Sequence, residues 1–272
     1  MKLLNTKGQD GGGASAARAS DAYKPSTLNI DALQGVSAHT GQIGCPCAGC
    51  MNDPDLGPDS STSPLDANID GTGGTVGGKP VWTLEQVIAN LNRTGASWAP
   101  GPNHPTPSSG SVSEIRYGFF DTLEQVETNG YTYELNGNYY GLAEYFNFAA
   151  FNAEQRAATR EAMQAWDDLI APTFVETSAD DADLNFGNLA SAPTTQAYAR
   201  LPSTLMSSNA GVNAQVAEIS GDVWVSASQA SNFQLDEGGY GIHTLVHEAG
   251  HALGLSHPGA YNAAPGVSIT YP

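Results

Sequence analysis

One eleven-residue stretch, His247-Glu248-Ala249-Gly250-His251-Ala252-Leu253-Gly254-Leu255-Ser256-His257, constrains this chain more than any other part of its 272 residues. Histidines four apart on a helix project from one face, so their rings converge on a common point. Gly254 follows, and a glycine there can take the left-handed backbone that ends a helix and turns the chain back. That turn returns His257 toward the same point. The spacing predicts a helix over about 239–254, with Ile242, Leu245, Val246, Ala249 and Leu253 as its apolar residues. Three neutral imidazoles suit a zinc ion and leave one coordination position for water. His247, His251 and His257 are therefore the candidate metal ligands, and Glu248 is the candidate general base.

A lone H-E-x-x-H also arises by chance in helices. Here four of the six histidines fall between 243 and 257, and three hold the complete spacing with Glu and Gly in place. His243 shares a helical face with His247 and reads as a helix residue near the site. His104, in a polar loop, and His39 read as solvated.

The remaining chain predicts a helix over about 153–170. Asn152 with Gln155 makes its capping box, Met163, Trp166 and Ile170 share a face, and Pro172 stops it. A shorter helix starts at Thr83 with Gln86, carries Leu84, Val87, Ile88 and Leu91 on one face, and ends by Gly95. Strand-like segments run through Val112, Ile115, Tyr117 and Phe119, then Thr173–Glu176, Asp183–Phe186, Gln196–Arg200 and Asp222–Val225. Helix, strands, then a second helix imply an α+β fold with a mixed sheet. Residues 1–79 are rich in Gly, Ser, Asp, Asn and Pro without apolar periodicity, and read as a largely irregular leader or pro-segment. Residues 80–272 read as the catalytic unit.

Charge excludes one class of partner. With 28 acidic residues against 10 basic ones, and a net charge of −18, the chain has no basic patch to neutralise phosphates, so nucleic acid is not expected. The acidity has two readings, solubility or an extracellular, calcium-rich setting where carboxylates find cations. The first residues lack the apolar run of roughly 7–15 that a Sec signal needs. No stretch reaches the roughly 20 apolar residues of a membrane span. Cys45, Cys47 and Cys50 form one cluster, open to three readings: a latch on the metal, a separate metal site, or a redox cluster.

The segment HEAGHALGLSHPG resembles the metzincins, and HPGAYNA after the third histidine is similar to the serralysin branch of secreted bacterial proteases, with Pro258 the discriminating neighbour. A weaker likeness extends over about 80–262, through the helix at 153–170, AYARLP at 197–202 and GDVWV at 221–225. The resemblance implies a metzincin-type catalytic domain with a twisted mixed sheet. It implies a secreted zinc-dependent endopeptidase acting on protein or peptide substrates through a zinc-activated water, with Glu248 as base. It also implies export by type I secretion machinery, and Gln196–Arg200 as an edge strand that pairs with substrate; an ordinary sheet strand is the other reading of that segment. The family carries a methionine turn beneath the zinc, a tyrosine nearby, and calcium-binding repeats further on. No methionine follows His257, and Tyr261 and Tyr271 come early for that tyrosine. The expectation is therefore a catalytic domain whose C-terminal subdomain is cut off at Pro272, with the missing region as the place where Ca2+ could bind. A non-catalytic exported or surface protein that keeps the zinc motif is the alternative.

Overall fold

The computed structural model describes residues 81–258, together with the backbone of three short strands, β1 (Tyr23–Pro25), β2 (Gly74–Val76) and β3 (Lys79–Val81). His39, Cys45, Cys47, Cys50, Tyr261 and Tyr271 lie outside the described residues. The chain then forms helix α1 (Leu84–Leu91), strand β4 (Glu114–Phe119), helix α2 (Leu123–Val126), the hairpin β5 (Thr132–Leu135) and β6 (Asn138–Gly141), helix α3 (Ala143–Phe146), strand β7 (Phe148–Ala149) and helix α4 (Ala153–Asp167). Strands β8 (Thr173–Glu176), β9 (Leu184–Leu189) and β10 (Ala197–Ala199), helix α5 (Ala210–Val216), strand β11 (Val223–Ser226) and helix α6 (Tyr240–Ala252) complete it. The fold is α+β, as expected. β1 pairs in parallel with β6, and β2 pairs with β3 in antiparallel fashion.

Strand order in the main sheet is β10-β11-β9-β4-β8. β11, β9, β4 and β8 run parallel, whereas β10 is antiparallel to β11. The expected mixed sheet is thus present, and Gln196–Arg200 contains its terminal strand.

Alternation sorts the side chains of this sheet between two cores. Ala197, Ala199, Val223 and Val225 face α4 and α6, together with Phe119, Phe186, Met163, Leu245 and Ala249. Tyr198 and Trp224 face the other way, toward Phe120, Tyr131, Val212 and Val216. Each such large apolar side chain, fully buried, stabilises the fold by about 1.5–3 kcal/mol. Small residues on the first face let α6 lie close to the sheet.

Trp98 and Trp166 fix α6 from two sides by donating their indole N–H to Ala252 O at 2.9 Å and Val246 O at 3.0 Å. Trp166 also explains Gly250, where a Cβ would lie 3.0 Å from the indole ring.

α4 begins as predicted: Gln155 N donates to Asn152 Oδ1 at 2.8 Å, and Asn152 N to Gln155 Oε1 at 3.1 Å. It stops at Asp167 rather than near 170. The Asp167 carboxylate accepts from Phe174 N at 2.9 Å, and the N–H groups of Leu169 and Ile170 both fold back on Trp166 O, so the last residues form the turn into β8.

Beneath β10 and β11 lies a buried polar group. Asp222 accepts from Asn185 N at 2.8 Å and Tyr131 O–H at 2.9 Å, and Tyr131 accepts in turn from Trp224 Nε1 at 2.6 Å. Burial pushes the Asp222 carboxyl up to about 8 from an ordinary 3.8, outweighing those hydrogen bonds and nearby Arg200. The folded chain then holds this proton more tightly than the unfolded chain. Its contribution to stability is full below about pH 4 and is lost as pH rises through about 8. The melting temperature of Asp222→Asn is expected to change less than that of the wild type between about pH 6 and about pH 9, measured by thermal unfolding at both.

Candidate metal centre

The helix that carries the site ends as its sequence requires. Gly254 has φ of 107°, its N–H donates to His251 O at 2.8 Å, and Leu255 N donates to Gly250 O at 2.9 Å. These two bonds form a Schellman cap, which satisfies the last carbonyls of α6 and reverses the chain. No other residue fits. A Cβ on Gly254 would stand 2.5 Å from Ala96 O.

Helix α1 clamps the returning strand. Ser256 N donates to Leu91 O at 2.7 Å, Asn90 Nδ2 to Pro258 O at 2.5 Å, and Arg93 to both Asn90 O and His257 O. His257 is thereby held on both sides by backbone contacts before any ion is considered. No local pattern in the sequence marks Asn90 or Arg93 for this part.

The structure brings the three histidines together. Their Nε2 atoms form a triangle with every side 3.1 Å. His251 and His257 are buried, and His247 is half-buried. His251 Nδ1 lies 2.6 Å from Leu255 O. A carbonyl only accepts, so Nδ1 carries the proton and the Nε2 lone pair points into the triangle. Burial also lowers the His251 pKa, more than the Leu255 contact raises it, which favours the neutral ring that a metal requires.

Lone pairs converging at this distance repel unless a cation lies between them. A side of 3.1 Å can be spanned by one ion bonded to all three nitrogens at the roughly 2.0–2.1 Å of a zinc–imidazole bond. The residues fit zinc in donor type and spacing. Among the described residues, no other group of His, Cys, Asp or Glu brings three ligand atoms together in this way.

Glu248 lies on α6 between the first two histidines and is 1 % exposed. His243 is exposed on the first turns of the same helix, outside the triangle. His104, read as solvated, is half-buried, with Nδ1 2.8 Å from Ala99 O; the difference arises because the loop at 97–104 folds against the chain that follows β10. No helix among the described residues is long and apolar enough to cross a membrane.

Comparison with known proteins agrees with this geometry. The chain matches the matrixin family of peptidases over residues 136–264, a span that contains the sheet from β9 to β11 and all three histidines. It is 32 % identical over 216 residues to metalloprotease AprA of Pseudomonas entomophila, covering 77 % of this chain and 39 % of that protein. It is 32 % identical over 209 residues to serralysin B of Dickeya chrysanthemi, covering 74 % and 37 %. Over 128 residues it is 38 % identical to serralysin of Photorhabdus luminescens, covering 46 % and 24 %. The chain thus spans less than two fifths of the length of these relatives.

Proposed function

The chain belongs to the serralysin-like metzincins, and we propose on that footing that it is a zinc-dependent endopeptidase hydrolysing protein substrates. The observation that carries the reading is the triangle of Nε2 atoms at 3.1 Å, with a buried carboxylate next to it in the chain. His247, His251 and His257 would hold the ion, which when bound supplies a Lewis acid that acidifies water and polarises a carbonyl. Glu248 takes a proton from the attacking water and passes it to the departing amine. The Leu255 carbonyl orients the His251 imidazole and the clamp from α1 holds the backbone of His257, which limits reorganisation during turnover.

β10 supplies the binding surface. It ends the sheet order among the described strands, and an extended peptide would add to it as a further strand on displacing what buries Ala197 and Ala199. Secretion by a type I route, and a leader over 1–79, belong to the same proposal and rest on the resemblance to serralysins. Casein digestion by the complete gene product tests it. New amino termini should accumulate, and a zinc chelator should stop them; digestion that persists in the chelator would count against a metallopeptidase.

A further inference from the structure

A cavity of about 450 Å³ opens beside the chain that continues β10, walled by Ala96, Leu201, Leu205 and Met206, with Asn103 and His104 at its polar side. Leu201, Met206 and Ala96 are buried, and His104 is fixed by its contact with Ala99 O. The cavity sits where the terminal edge of the sheet changes hands. From Pro202 onward that edge is taken by the loop at 97–103, through Ser97 N to Pro202 O at 3.1 Å and Thr204 N to Asn103 O at 2.9 Å. A peptide strand added to β10 must therefore end its pairing at about Leu201, beside this opening. The same wall adjoins the metal centre: a Cβ on Gly254 would meet Ala96 O and the Pro202 ring.

We propose that this cavity is a specificity subsite that takes a bulky apolar side chain of the substrate on the amino-terminal side of the scissile bond. The inference rests on the protease reading and on addition of substrate to β10. Antiparallel pairing is the more stable per residue, and it places the amino-terminal part of the peptide at the carboxyl end of β10, where the cavity lies. Side chains alternate along the added strand, so one fixed position drops into the opening. Its lining selects Leu, Met or Phe there, since burying these removes apolar surface from water while a small side chain leaves the cavity part-filled.

Cleavage of a mixed peptide library by the complete zinc-loaded gene product, sequenced by mass spectrometry, is the test. Bulky apolar residues should be enriched at one position before the cut. Leu205→Trp, which fills the cavity, should lower the preference for bulky over small residues there by about ten-fold or more. Thr94→Trp fills it from the exposed side and should act alike. Peptide affinity measured on the Glu248→Ala background should show the same loss without turnover. A profile that neither tryptophan moves, or a preference only after the cut, would overturn this inference while leaving the protease reading intact. No cleavage at all by the wild type would overturn both.

Discussion

Glu248→Gln is expected to lower casein cleavage by about 10²–10⁴-fold while leaving one zinc per chain. The amide keeps the size of the carboxylate but cannot take a proton from water. Burial of Glu248, at 1 % exposure, favours the neutral replacement, so the fold should be no less stable. The three nitrogens proposed to hold the ion belong to other residues, and the cap and clamp that position them do not involve this side chain. Metal content and kcat/KM measured on the same preparation separate the roles. Loss of zinc in step with activity would make Glu248 a structural residue of the site.

Gly254→Ala should cripple the centre from outside it. Alanine in the left-handed region costs about 1–2 kcal/mol, and its Cβ would press on the Ala96 carbonyl, a backbone atom that cannot swing away. The combined loss should be at least about 2 kcal/mol, which lowers the melting temperature by about 4–8 °C in a domain of this size. The turn also sets the approach of His257, so zinc affinity should fall with it. Thermal unfolding with a zinc-binding titration measures both; a variant with wild-type melting and wild-type affinity would show that the turn is not what delivers the third ligand.

The site was legible because its signals are local. Histidine spacing, Gly254 and the capping boxes at Thr83 and Asn152 each act within one or two turns of backbone, and each is present where the sequence predicts it. Strand positions were readable from Val, Ile and aromatic runs, with ends that shift because pairing decides them: Asp183–Phe186 became Leu184–Leu189 once β9 lay between β4 and β11.

Other features needed tertiary contacts. Asn90 and Arg93 reach residues more than 160 positions away, and no local pattern announces that clamp. It also inverts the reading of α1, whose apolar stripe is not its anchor. Leu84 and Ile88 are 63 % and 56 % exposed, while the polar residues at its carboxyl end do the docking. The β5–β6 hairpin, by contrast, had a signal that the sequence reading passed over. Asn136 and Gly137 both take positive φ, 55° and 75°, as the Asn-Gly pair of a type I′ turn requires.

Zinc titration of metal-stripped complete gene product, followed by casein cleavage, tests the central claim most directly. Cleavage should rise in proportion to added zinc, level off at one ion per chain, and stay at background when His251 is Ala. Equal cleavage by the stripped protein, or saturation with zinc that restores none, would contradict the account.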